Sequence, residues 1–404
     1  MTAPVQDQSH TRITQLDALR GLAVIGILWM NVYVYALPAQ GYYNPLAWSG
    51  NATGDPAPFD RLVWTASFVF IEDKFRTLFA MLFGAGCVIL IEKGVERVWR
   101  AHFARMFVLF VIGLAHATLF ANNDILRAYA MAGCALPFIA HLSPKALVAI
   151  AVGLIAVHVG GGIIAFGSGM GAYWDGRLNN DLVQRAHYNF GADPAAVQLA
   201  LERGREAFDE RVARRIAGLP EQLTNIAASV PLNLAGMALG IAFWKDRMLA
   251  AEWRTFRLQR LAAVCAVVAI PVLFLLAGWV SDEGFVGIIA GPASLIWSAP
   301  FDTLLGVAYA ALAMALFTKG GAISRLLACV GRLSLTNYLL SSVVLAAIFA
   351  SWGLGLFGTV SRVEALALSF VPIALMLIWS PLWTRHLGQG PFERFWRGAA
   401  RLLS

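Results

Sequence analysis

Three groups of polar residues stand inside otherwise apolar stretches, and each has chemistry to offer. The first lies in RITQLDALRGLAVIGILWMN, residues 12–31. Asp17 and Arg20 are i and i+3 on one helix face and can pair there. Asn31 follows Arg20 by eleven residues, about three turns, so it shares that face roughly 16 Å further along the axis. The second is Glu72-Asp73-Lys74-Phe75-Arg76, in which Glu72 and Arg76 have i, i+4 spacing. The third is His116, followed by Asn122-Asn123-Asp124 and, one turn later, Arg127; Asp302 opens a later run. A neutral imidazole beside a carboxylate takes a proton from a hydroxyl or amine near neutral pH. Asp124, Glu72 or Asp73 would orient it. A membrane histidine can also do no more than hydrogen-bond to a neighbouring helix, and the charges at 72–76 could simply neutralise one another.

A second layer of polar residues falls at the other ends of the same runs. It holds Asp17, Arg20, Arg332 and Asn337, with GPFERFWR at 390–397. The forked donors of arginine suit a phosphate-bearing donor molecule. The bias of membrane proteins toward basic inner loops explains arginines here without any ligand, most readily in the tail.

These residues need elements that cross a bilayer. Of 404 residues, 59% are hydrophobic and 14% charged, against about 25% charged in a soluble chain. A span takes about 20 apolar residues. By that measure the chain predicts an all-α integral membrane bundle of about ten transmembrane helices. They fall at 17–38, 62–91, 103–121, 123–141, 144–167, 222–244, 257–280, 299–318, 333–357 and 362–384. Residues 285–298 read as a re-entrant segment or an outer loop. Lysines and arginines collect in alternate loops (Lys93, Arg97, Arg100 and Arg105; Lys245, Arg247, Arg254, Arg257 and Arg260; Lys319, Arg325 and Arg332). This asymmetry places both termini in the cytoplasm. The net charge of +7 is thereby explained without nucleic acid.

Residues 168–221 form one long extracytoplasmic loop. It opens on a Gly-rich, aromatic turn region, GSGMGAYWDG, and Asp193-Pro194 starts a helix to about Gly218. It divides a five-span half, 1–167, from a second five-span half, 222–404. Glycines at 84, 86 and 160–162 suit close helix packing rather than phosphate binding. Cys87, Cys134, Cys265 and Cys329 have neither disulfide nor zinc spacing, and no metal set is expected. His158 suits packing. His102 lies at the wrong end of its span to pair with His116 around a haem.

With these residues in view, the chain resembles the YeiB family of bacterial inner-membrane proteins. The marks are R-I-x-x-L-D-A-L-R-G at 12–21, D-K-F-R-x-L-F-A-M-L-F-G at 73–84, G-L-A-H at 113–116, D-I-L-R-A-Y-A at 124–130, G-R-L-S-L-T-N-Y-L at 331–339 and G-P-F-E-R-F-W-R at 390–397. The family is grouped with transmembrane acyltransferases similar to heparan-alpha-glucosaminide N-acetyltransferase and the bacterial sugar O-acyltransferases. That resemblance implies an acyl-CoA donor, acetyl-CoA first, entering from the cytoplasm. The acceptor would be a glycan, lipid or small metabolite on the outer side or in the membrane, and a homodimer is compatible with it. The sugar O-acyltransferases carry a histidine where this chain has Asn31, so the expected base here is His116.

The expected assignment is a multi-pass acyltransferase of the bacterial inner membrane. His116, Asp124, Glu72 and Asp73 would be catalytic. Asp17, Arg20, Asn31, Lys74, Arg76, Arg332 and Asn337 would line the donor path, a wet passage from the cell interior to His116. The alternatives are a transporter or flippase using the same charged seam, and a structural or sensory protein.

Overall fold

The computed structural model of the chain describes residues 14–48, 59–92, 98–121, 123–318 and 320–404. Arg12, Lys93, Arg97, Asn122 and Lys319 lie outside the described residues. Helices account for the regular structure. The first span is α1 (Thr14–Ala36), followed by short α2 (Ala39–Tyr43). Next, α3 (Asp60–Phe70) and α4 (Lys74–Glu92) are two halves of one span, broken at 71–73. Then come α5 (Val98–Leu119), α6 (Ile125–Gly133), α7 (Leu136–Ile139) and α8 (Pro144–Trp174). The long loop carries α9 (Asp181–Phe190), α10 (Pro194–Gly204) and α11 (Phe208–Ala217). The second half has α12 (Leu219–Lys245), α13 (Thr255–Asp282), α14 (Gly287–Pro292) with a π-helical turn (Ala293–Trp297), and α15 (Ala299–Phe317). It closes with α16 (Ala322–Arg332), α17 (Ser334–Phe349), α18 (Arg362–Leu368), α19 (Phe370–His386) and α20 (Pro391–Leu403).

Among the described residues, eight helices or helix pairs are long and apolar enough to cross a bilayer. A ninth is added if α16 and α17, bent by 81°, count as one. The count is lower than ten because the run at 123–141 is not one helix. Asp124 caps α6, and the helix stops at Cys134 before Pro137 starts α7. The chain at 168–174 also departs from the expected turn. It continues α8 as helix to Trp174, because Met170 and Ala172 are buried there and Gly169 lets α9 approach. Asp193 caps α10 as expected, accepting from Ala196 N at 2.9 Å, but the helix breaks at 205–207 before α11.

α1 is the central helix: 67% of its span is buried inside the bundle, against 17% for α8. It packs on α16, α4, α17, α18 and α15. With lipid on the outside there is little hydrophobic drive between helices, so small residues that admit close backbone contact matter most. Gly21 lies against the Leu327 carbonyl, and Gly331 against that of Asp17. Gly84 and Gly240 do the same between α4 and α12. Gly162 meets Ile296, whereas Gly160 and Gly161 have nothing within 4 Å and make no close helix contact.

α5 gives the bundle its two ends. Trp396 of α20 donates to the Arg105 carbonyl at 2.8 Å. Arg215 of α11 donates to the carbonyls of Thr118 and Phe120 at 3.3 and 3.4 Å. Thirteen residues of helix, about 20 Å, separate Arg105 from Thr118. The start of α1 and the C-terminal helix therefore share one end, and the long loop covers the other.

Two glycines should respond in opposite ways to one methyl group. Gly331→Ala forces α1 and α16 apart and should lower stability in detergent by about 1–3 kcal/mol. Gly398→Ala, in the open interior of α20 with nothing within 4 Å, should raise it by about 0.4–1 kcal/mol. Thermal unfolding of the purified variants reads both signs; equal shifts would contradict the α1–α16 crossing.

Candidate functional site

The site is built where α5 ends and α6 begins. The His116 carbonyl accepts from Phe120 N at 2.8 Å and Ala121 N at 3.1 Å, which turns the chain out of α5. Asp124 then caps α6: its Oδ1 accepts from Arg127 N at 3.0 Å. Its second oxygen lies 2.6 Å from His116 Nδ1. The side chains can be this close because Gly113, one turn before His116, has none. A Cβ there would lie 2.6 Å from Asp124 Oδ1.

Other elements close round this pair. Tyr338, from α17, places its ring centroid 5.2 Å from the imidazole. Its hydroxyl accepts from Ile125 N at 3.3 Å and lies 3.5 Å from Asp124 Oδ2. Arg127 Nε stands 3.8 Å from Asp124, and its Nη1 donates to Gln222 of α12 at 3.0 Å. Arg215 covers the end of α5, where burial, followed by the like charge of Arg211, pushes its guanidinium down to about 10. His116 and Asp124 are 4% and 3% exposed. An ionised Asp124 accepts from Nδ1–H and so leaves the lone pair on Nε2. That nitrogen is buried and has no hydrogen-bond partner among the described residues. The wet passage expected from the cell interior is thus not open at His116 in this structure. A groove of about 220 Å³ between α17 and α19, lined by Leu340, Ser341 and Trp379 among others, does not include His116.

Asn31 comes to the same place. Its Oδ1 lies 3.5 Å from Nδ2 of Asn123, the residue before Asp124.

Glu72, Asp73, Lys74 and Arg76 form a separate nest where α3 breaks from α4. Asp73 takes a left-handed backbone, φ 59°, so α4 starts afresh at Lys74. The Lys74 ammonium, fully buried, pairs with Asp302 at 2.6 Å and donates to the Phe68 carbonyl. Glu72 accepts from Ser294 of the π-helical turn. Arg76 chelates Asp73 at 2.7 and 3.0 Å and donates to Asn233 of α12 at 2.8 Å. The expected Glu72–Arg76 pair is therefore replaced by Asp73–Arg76, because the break takes Glu72 off the helix that carries Arg76. Neither Glu72 nor Asp73 touches His116 among the described residues; the orienting carboxylate is Asp124. His158 bonds the Leu295 carbonyl at 2.9 Å, beside the π turn, and His102 that of Gly133 at 2.9 Å.

At the other end, Asp17 pairs with Arg20 at 3.1 Å and lies 3.9 Å from Arg332. Asn337 serves the joint between helices. It donates to the Val330 carbonyl at 2.9 Å and to Ser380 at 3.1 Å, and accepts from Trp379 at 2.9 Å. It is fully buried, so it has no free group for a donor. Sequence reasoning missed Tyr338, Gln222, Asn233, Ser294 and Glu393 as members of these networks. Tyr338 and Glu393 lie inside quoted motifs, but nothing local pointed to their partners.

A family model described as a protein of unknown function (DUF418) matches residues 243–402. YxaH of Bacillus subtilis, described as uncharacterized, is 27% identical over 416 residues, covering 98% of this chain and 95% of its own length. An uncharacterized 39.9 kDa protein of Bacillus acidopullulyticus is 31% identical over 131 residues, 31% of this chain and 34% of its own. No solved structure matches. YeiB of Escherichia coli, also described as uncharacterized, is 30% identical over 397 residues, 96% of this chain and 95% of its own. A multi-pass membrane protein by its apolar helices, and similar to YeiB along almost its entire length, the chain belongs to the YeiB family.

Proposed function

We propose that the chain is an acyltransferase of the bacterial inner membrane. It moves an acyl group, acetyl first, from cytosolic acyl-CoA to a hydroxyl or amine of an acceptor that lies across or within the membrane. Both termini are then cytoplasmic, as the basic loops require. The observation that carries this reading is the His116–Asp124 pair: a buried imidazole with one nitrogen fixed by a carboxylate and the other without a partner. The resemblance supplies the donor class.

Acyl-CoA supplies an activated thioester carbonyl. The acceptor oxygen or nitrogen bonds to that carbonyl carbon while its proton passes to Nε2, and Asp124 stabilises the imidazolium. The carbon–sulfur bond breaks, the thiolate takes the proton from Nε2, and His116 returns to its neutral form. Asp17, Arg20 and Arg332 stand where the donor enters along α1. Asn31 sits where α1 meets the Asp124 loop. Helices α9 to α11 cover the acceptor side.

His116→Ala should lower turnover by about 10²–10⁴-fold with the fold retained, at a stability cost of about 1–3 kcal/mol for leaving Asp124 without its partner. Asp124→Asn should lower it as well while keeping the α6 cap, because asparagine caps about as well as aspartate. Free thiol released from acetyl-CoA, assayed with total membrane extract as the source of acceptor, measures both. Wild-type turnover in His116→Ala would remove this mechanism.

A second reading, transport, is favoured by the Lys74 nest. Two interrupted helices meet there around buried charge, the arrangement transporters use for ion sites. Three carboxylates (Glu72, Asp73 and Asp302) face two cations (Lys74 and Arg76), which leaves one negative charge for a proton or cation to balance. Lys74→Met strands Asp302 and should cost about 3–5 kcal/mol, largely recovered in Lys74→Met/Asp302→Leu. Transport predicts proton flux in liposomes without acyl-CoA, lost in the double variant and kept in His116→Ala. Acyl transfer predicts no such flux.

A further inference from the structure

The last helix brings together positive charges that the structure leaves unbalanced. α20 lies against α5 with Glu393, Trp396 and Ala400 turned inward. Glu393 is the acid that could have offset its arginines, but it is engaged elsewhere. It accepts from the backbone of Leu335 at 2.8 Å and Thr336 at 3.1 Å, and from the Thr336 hydroxyl at 2.5 Å. Arg397 and Arg401, one turn apart, flank the inward face. Trp396 holds the backbone of Arg105 beside them, close enough for Arg105 to feel both charges. Neighbouring arginines are engaged: Arg20 and Arg332 by Asp17, Arg325 by the Gly320 carbonyl at 2.7 Å, and Arg394 by that of Leu387. The side chains of Arg105, Arg397 and Arg401 have no such partner among the described residues.

Like charges one turn apart cost a few tenths of a kcal/mol, and a third guanidinium adds to that. The arrangement becomes favourable when an anion sits between them, and three planar forks suit the several oxygens of phosphate. We propose that Arg105, Arg397 and Arg401 form a binding site for a phosphate-bearing ligand at the inner end of α5. The phosphate has two sources. One is coenzyme A, which rests on the acyl-transfer reading. Arg105 and His116 are eleven residues apart on one face of α5, roughly 16 Å, so phosphates held at Arg105 would direct the acyl end toward His116. The other is an anionic lipid headgroup, since α20 also exposes Phe395 and Leu402.

Binding to the purified full-length chain decides. The probes are coenzyme A, pantetheine, which lacks the phosphates, and nanodiscs of phosphatidylglycerol or phosphatidylcholine. Arg397 and Arg401 are exposed, so Arg397→Gln/Arg401→Gln should fold normally. It should weaken coenzyme A by about tenfold or more, the loss expected for a charge-assisted bond. Arg105→Gln should act in the same direction. Arg394→Gln should stay within about twofold, and pantetheine should not distinguish the variants. If coenzyme A is unaffected but selective retention of phosphatidylglycerol is lost, the site stands and its phosphate comes from lipid. If wild type and double variant bind coenzyme A and phosphatidylglycerol alike, or wild type binds neither, the site is overturned. Failure of the acyl-transfer reading looks different: coenzyme A would bind through these arginines with no thiol released from acetyl-CoA.

Discussion

The bend between α16 and α17 is the constraint on which the site depends. A helix start leaves backbone N–H groups without partners, and inside a bilayer there is little water to take them. An 81° bend at Leu333 creates such a start at the end of the bundle that carries α20. Glu393 meets it with one oxygen on two backbone amides and the other on the Thr336 hydroxyl. A carboxylate there also opposes the positive end of the helix dipole. Asn337 ties the bend to Val330 on one side and to Ser380 and Trp379 on the other. With the start of α17 fixed, Tyr338 follows one turn in, and its hydroxyl meets Asp124 and Ile125. The C-terminal helix thus helps to place Tyr338 beside the His116–Asp124 pair.

The bundle holds two polar centres, and α12 links them. Gln222 takes Arg127 beside the first centre, and Asn233, eleven residues deeper, takes Arg76 in the second. Tyr129 adds a second link, donating from α6 to the Arg76 carbonyl at 2.7 Å. Among the described residues of the two centres, the buried imidazole nitrogen without a partner is His116 Nε2, in the first. The second is dense with ion pairs, and a buried pair contributes little net stability because desolvation offsets most of the attraction. What it does is fix geometry. The break at 71–73 would leave carbonyls bare, and Lys74 and Tyr309 cover those of Phe68 and Phe70.

Much of this was legible in the sequence, and the exceptions have physical causes. Spans were visible because apolar length is a strong signal. His116 and Asp124 were named because a carboxylate follows the histidine by eight residues, just past the end of its span, although Glu72 and Asp73 were equal candidates and the cap at Asp124 was not foreseen. The Glu72–Arg76 pairing failed because i, i+4 geometry holds only on an unbroken helix. No glycine or proline at 71–73 marked the break; Asp73 adopts the left-handed conformation instead. The run at 123–141 was apolar enough to cross, and the α7 Pro137 that interrupts it was outweighed by hydropathy. Asn337 read as a ligand group because a polar residue at a span entrance looks functional. Its role needs Val330 and Ser380, and the second is 43 residues away. Glu393 was hidden in the same way.

α5 is held at both of its ends. Trp396 pins its first turns at the Arg105 carbonyl, and Arg215 pins its last turn at Thr118 and Phe120. Sliding along its axis would break contacts at both ends, and rotation would separate His116 from Asp124. Asp124 is held as the cap of α6, and α6 is held by Tyr129 on Arg76. Tyr338 meets the ring from α17. Its ring centroid lies 5.2 Å from the imidazole, nearer than that of Phe120 at 6.4 Å, and its hydroxyl accepts from Ile125 N. Tyr338 in turn depends on Glu393, which holds the start of its helix.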